Sequence, residues 1–135
     1  MINVFSRDEI IEYGYRPNEY YISILPTGGP QGAPIFEQAP NVLTLIFDDV
    51  EEDCVKTKLP HSYGLRYAKA FTIEQAKQTV VFLEGLPNDC VLNIHCVHGV
   101  SRSAAMAAAI NNSKNTEAGN KRVYKLMKEQ LYGIS

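Results

Sequence analysis

Apolar runs separated by proline, glycine and acidic residues divide this chain into alternating strand and helix segments. Tyr20-Tyr21-Ile22-Ser23-Ile24-Leu25 is a run of β-formers closed by Pro26 and the glycines at 28 and 29, and it predicts a buried strand. Pro26 to Pro40 holds four prolines and three glycines, so it reads as loop. A second strand, Val42 to Phe47, stops at Asp48-Asp49, and Pro87-Asn88-Asp89 turns the chain into a third, Cys90 to Ile94. Helix signals lie between and after these. Ser6-Arg7-Asp8-Glu9 has the form of a capping box opening a short helix through Glu12. Thr72-Ile73-Glu74-Gln75 repeats the form, and Ile73, Ala76, Val80 and Leu83 follow on one helical face. An alanine-rich helix over 104–110, a polar loop from Asn111 to Gly119, and an amphipathic helix from Lys121 to Leu131 complete the pattern, the last with Val123, Leu126, Met127 and Leu131 inward. Strands alternating with helices predict an α/β fold: a central, mostly parallel sheet of about four or five strands flanked by helices.

Composition narrows the class. At 135 residues the chain reads as one domain over 1–135, long enough to bury one core. A net charge of −2 argues against a nucleic-acid partner. No apolar run approaches the roughly 20 residues of a membrane helix, so no membrane partner is expected. The first residues lack the basic start and apolar stretch of a signal peptide. Cys54, Cys90 and Cys96 are sparse and lack metal-ligand spacing. A reducing, cytoplasmic setting is the expectation.

The junction between the third strand and the alanine-rich helix reads His95-Cys96-Val97-His98-Gly99-Val100-Ser101-Arg102-Ser103. A tight loop running from a strand into a helix N-terminus gathers backbone N–H groups around an anion. A cysteine at its mouth becomes a nucleophile aimed at that anion. The helix dipole, the nest of loop N–H groups and the fixed cation of Arg102 all favour the thiolate of Cys96. The same cradle suits a phosphoryl group, held by the loop over Val97, His98, Gly99, Val100 and Ser101 and by the forked guanidinium of Arg102. Gly99 is where the backbone can take a positive φ and let those amides converge. Ser101 or Ser103 can donate a hydroxyl hydrogen bond to the sulfur and stabilise it as it departs.

At these positions the chain resembles the Cys-x5-Arg protein tyrosine phosphatase superfamily, whose signature His-Cys-x-x-Gly-x-Ser-Arg-Ser is matched at every fixed position. It looks most like the compact dual-specificity-like branch, and the likeness covers residues from about 20 to 130. The resemblance implies a phosphatase-like fold with the phosphate-binding loop between a central strand and a helix. It also implies phosphate or sulfate bound in that loop, a phosphocysteine intermediate, and neither metal nor other cofactor. His95 resembles the signature histidine, supporting the loop through hydrogen bonds; an ionised Cys96 needs no general base.

The resemblance further implies a general acid, an aspartate on a separate loop that protonates the leaving oxygen. Asp48, Asp49 and Asp53 are the candidates. The branch's order of apolar strand, acidic residue and catalytic aspartate favours Asp49, with Asp48 in support beside it. Cys96, Arg102, Asp49 and Ser103 then form the catalytic set. One departure stands out: 46 residues separate Asp49 from Cys96, more than that branch shows, with most of the excess in a long loop between Val50 and Phe71.

Other residues carry weaker signals. His98 is expected to face the entrance, and His61 to be an idle surface histidine. Lys121, Arg122, Lys125 and Lys128 read as a solvated basic face. Cys90 reads as a core thiol, and Cys54 as a remote candidate for a resolving thiol. Tyr20, Tyr21, Tyr63 and Tyr67 wall the pocket or pack in the core. The expected activity is hydrolysis of a phosphomonoester, foremost phosphotyrosine and also phosphoserine or phosphothreonine in a phosphorylated protein. RNA 5′-triphosphatase and phosphoinositide phosphatase are the alternatives on the same fold. Ser101-Arg102-Ser103 and the lack of lysine in the loop count against them. A phosphopeptide-binding module without turnover is the non-enzymatic alternative.

Overall fold

Tyr20–Leu25 forms the strand its β-formers predict, and it lies inside a four-stranded parallel sheet. The structure, a computed structural model, describes residues 1–52, 55–57, 66–113 and 119–133, with 55–57 and 66 given by their backbone alone. In chain order the main elements are β1 (Ile2–Phe5), α1 (Arg7–Tyr13), β2 (Tyr20–Leu25), β3 (Val42–Ile46), β4 (Val55–Thr57), β5 (Arg66–Ala68), α2 (Ile73–Glu84), β6 (Leu92–His95), α3 (Arg102–Ile110) and α4 (Lys121–Tyr132). A single 3-10 turn, Pro30–Gly32, interrupts the proline-rich loop. The sheet order is β1-β6-β2-β3, which makes β6 a central strand leading into α3. The fold is therefore α/β, with a four-stranded parallel sheet flanked by helices.

Register sorts the side chains. Ile22 pairs with Leu43 on one side and Ile94 on the other, and Ile24 pairs with Leu45. These residues face Ala76 of α2, the small side chains Ala105 and Ala109 of α3, and Val123 and Met127 of α4. Alanine at the contact lets α3 lie close to the sheet, where Ala105 and Ala109 are fully buried. The opposite pleat carries Asn93 and His95. Asn93 Nδ2 donates to Glu19 Oε1 at 2.9 Å and its Oδ1 accepts from Asn3 Nδ2 at 3.0 Å, so buried polar groups on this face are paired. Both capping boxes form as read, at Ser6 and at Thr72.

Several expectations need correction. No element was expected over residues 1–5, yet β1 adds an edge to the sheet, pairing Val4 with Ile94 and Phe5 with His95. Four residues are too few to reveal a period, and only the partner strand makes them a strand. β6 starts at Leu92 rather than Cys90; just before it the Met1 carbonyl takes the Leu92 N–H and the Cys90 carbonyl accepts from the N-terminal amine. Cys90 is accordingly half-buried and no core thiol. The long loop between Val50 and Phe71 contains a short antiparallel pair, β4 with β5, that pairs Val55 with Ala68. On α2 the buried positions are Ala76 and Thr79, whereas Ile73, at the first helical position, is exposed.

Candidate functional site

Cys96 to Ser101 connect β6 to α3 over the junction of β1 and α1. Cys96 N–H donates to Phe5 O at 3.4 Å, and Arg7 N–H donates to Val97 O at 3.0 Å. Gly99 takes φ +74, and a Cβ there would lie 2.7 Å from Ser6 N and 2.8 Å from Phe5 C. Glycine is thus required twice, for its backbone conformation and for the closeness of the chain beneath it. The unforeseen strand β1 supplies that floor.

The Cys96 side chain is 2% exposed. Its Sγ lies 3.1 Å from Ser103 Oγ and accepts the Gly99 N–H at 3.2 Å. Burial pushes the thiol pKa up. The hydroxyl and backbone N–H of Ser103, the positive charge of Arg102 and the Gly99 N–H together outweigh it, and the net shift is below the ordinary thiol value. The sulfur's hydroxyl partner is Ser103. Ser101 turns away and donates its Oγ–H to Asp49 Oδ1 at 2.7 Å, which leaves α3 without a side-chain cap.

Arg102 is 5% exposed at the first position of α3. One terminal nitrogen, Nη1, donates to Phe47 O at 2.8 Å and anchors the guanidinium beneath the end of β3. Its Nε–H is buried with no hydrogen-bond partner among the described residues. Unsatisfied buried donors are costly, and this one belongs to a residue lining a pocket of about 200 Å³. Pro26, Gln31, Asp48, Asp49 and His98 share that lining. Val97 reaches the same pocket, whereas the Val100 side chain points to solvent.

His95 is fully enclosed. Its Nδ1 lies 3.2 Å from the Cys96 carbonyl and its Nε2 lies 2.6 Å from Ser23 Oγ. A carbonyl only accepts, so Nδ1 carries the proton and Nε2 accepts from the Ser23 hydroxyl. Burial, with the nearby charges of Arg7 and Arg102, outweighs the Cys96 carbonyl bond and pushes the His95 pKa down to about 4. A neutral His95 therefore braces the first residue of the loop.

The two aspartates after β3 differ sharply. Asp48 is buried, and its carboxylate accepts from Thr27 N at 3.0 Å, Thr27 Oγ1 at 2.8 Å and Lys69 N at 2.9 Å. Three donors make it an anchor between the β2 and β5 ends. Asp49 is exposed, and among the described residues its carboxylate accepts from Ser101 Oγ at 2.7 Å and from Asn120 Nδ2 at 3.0 Å, both on one oxygen, Oδ1. The third candidate acid, Asp53, lies outside the described residues, as do Cys54, His61 and Tyr63. Among the tyrosines, Tyr21 is buried in the sheet and Tyr67 is exposed; neither lines the pocket beside Arg102.

The sequence reading gave no part in the site to Arg7, Ser23, Thr27 or Asn120. Ser23 had a legible signal, a lone serine between isoleucines, but its partner follows only from the register pairing Ser23 with His95. Among the described residues, no group of three His, Cys, Asp or Glu side chains is placed to hold a metal ion. No helix among them is long and apolar enough to cross a membrane. Comparison of the chain with protein-family models, curated proteins and solved structures gives no match.

Proposed function

We propose that this chain is a phosphomonoester hydrolase of the Cys-x5-Arg phosphatase type, acting on phosphorylated protein through a phosphocysteine at Cys96. The observation that carries the reading is the convergence of Ser103, Gly99 and Arg102 on one buried sulfur, which favours the thiolate. The orphaned Nε–H of Arg102 adds a donor suited to an anionic oxygen.

In the first step Cys96 Sγ attacks phosphorus and the bond from phosphorus to the ester oxygen breaks. That oxygen takes a proton from Asp49, while Arg102 and the loop N–H groups hold the remaining phosphoryl oxygens. In the second step a water gives a proton to the Asp49 carboxylate and bonds to phosphorus. The S–P bond breaks, phosphate leaves, and the Ser103 hydroxyl stabilises the departing thiolate. Asp48, which accepts from three donors, holds the acid-bearing segment in place.

Hydrolysis of an aryl phosphate, with acid-quench mass spectrometry for a phosphorylated Cys96, tests the proposal. The expected result is turnover that survives EDTA, an adduct on Cys96, and loss of both in Cys96→Ser. Turnover that persists in Cys96→Ser, or that EDTA abolishes while Cys96 stays reduced, overturns it.

A further inference from the structure

The segment Gly119-Asn120 sits far from the loop in sequence and directly against it in space. Asn120 is buried at the N-terminus of α4, and its Oδ1 accepts the N–H groups of Arg122 and Val123 at 3.0 and 3.1 Å. Two backbone donors on that atom identify it as the amide oxygen. Nδ2 is then free only to donate, and it does so to Asp49 Oδ1 at 3.0 Å and to Val50 O at 3.1 Å. The Asn120 backbone N–H reaches Ser101 O at 3.3 Å. Gly119, at φ +85, presses so closely that a Cβ would lie 2.3 Å from Ser101 O. Two turns of core contacts, Val123 and Met127, fix α4 behind this point.

We propose that Asn120 is the positioning residue of the general acid, an inference that rests on the hydrolase reading above. Its amide and the Ser101 hydroxyl both bind Oδ1 of Asp49, so the transferable proton belongs on Oδ2. The carboxyl group is held with one oxygen clamped to α4 and the loop exit, which leaves the other to carry the proton. The clamp ties the acid to Ser101, the residue that leads from the loop into α3, so acid and nucleophile keep a fixed relation. Asp48, the residue before the acid, is pinned by Thr27 and Lys69, so the acid segment is held from both ends. Asn120 touches no reacting atom; it acts through Asp49.

The distinguishing consequence is a dependence on the leaving group. The first chemical step sets kcat/KM, and only a poor leaving group needs the proton in that step. Asn120→Ser keeps a side-chain oxygen to cap α4 and removes the amide donor. Asn120→Asp keeps both length and cap but places a second carboxylate against Asp49. The experiment measures kcat/KM for phenyl phosphate and for an activated nitroaryl phosphate across pH, with thermal melts to establish folding. In Asn120→Ser the loss on phenyl phosphate is expected to exceed the loss on the nitroaryl ester by about ten- to hundredfold, the scale of a misplaced catalytic group. In Asn120→Asp the alkaline limb of the phenyl phosphate profile is expected to move to higher pH. Equal losses on the two esters in Asn120→Ser, together with an unmoved limb in Asn120→Asp, overturn the positioning role while the hydrolase reading stands. A wild-type protein that turns over neither ester overturns the hydrolase reading and this inference with it.

Discussion

Replacing Gly99 by alanine tests whether the loop is truly pressed onto the β1–α1 junction. The structure separates two costs at this position. One is the positive φ of +74, which an L-residue adopts at about 1–3 kcal/mol. The other is overlap: the new Cβ would meet Ser6 N at 2.7 Å, Phe5 C at 2.8 Å and Phe5 O at 2.9 Å, all backbone atoms that cannot rotate away. Forced overlap of this kind costs about 1–3 kcal/mol more. Gly14 provides the control, with φ +81 and nothing within 4 Å of a built Cβ. Alanine lowers unfolded-chain entropy at both sites by a similar amount, about 0.4–1 kcal/mol, so that contribution cancels in the comparison.

Gly99→Ala is therefore expected to be less stable than Gly14→Ala by about 1–3 kcal/mol. For a chain of this length that corresponds to a melting temperature lower by about 4–10 °C. Urea and thermal unfolding followed by circular dichroism measure the difference. A displaced loop also withdraws the Gly99 N–H from Cys96 Sγ, which raises the thiol pKa and slows its alkylation at neutral pH. Equal stability in the two variants would refute the close approach, and with it the claim that β1 forms the floor of the site.

Ser103→Ala removes the hydroxyl that does most to hold the Cys96 thiolate against burial, so the thiol pKa rises; iodoacetamide alkylation at pH 6 should slow by about tenfold or more, and an unchanged rate would contradict the assignment. His95 gives a pH dependence of stability. Its pKa is about 4 in the fold and near 6.5 when unfolded, so on acidification the unfolded chain binds a proton that the native state refuses. Stability should fall as pH drops from about 6.5 towards about 4, by up to about 3 kcal/mol, in urea titrations. His95→Asn should lack that slope, and an identical slope in both proteins would show that His95 is not its source.

Much of the site was legible because its chemistry is compressed into nine consecutive residues. The strand–loop–helix order, the positive φ of Gly99 and the nearness of Arg102 to Cys96 follow from local chain geometry, which short-range pattern encodes. The capping boxes at Ser6 and Thr72 were readable for the same reason, since donor and acceptor lie three residues apart. The proposed acid was only half legible. The residues after Ile46 mark a strand end, but the difference between Asp48 and Asp49 depends on Thr27, Lys69, Ser101 and Asn120, between 21 and 71 positions away.

What the sequence by itself determined is most of the alternation of strands and helices, the helix starts at Arg7, Ile73 and Lys121, and the strand–loop–helix order around Cys96 to Ser103. These depend on backbone preference and on neighbours within a turn or two. Tertiary structure decided the rest: that residues 2–5 become an edge strand, that Ser103 and not Ser101 meets the sulfur, that His95 is neutral against Ser23, and that Asn120 holds Asp49. Each of these is a pairing of single polar groups or short segments from distant parts of the chain. No period or local motif announces such pairings; parallel register and helix packing create them, and burial then requires the groups so joined to satisfy one another.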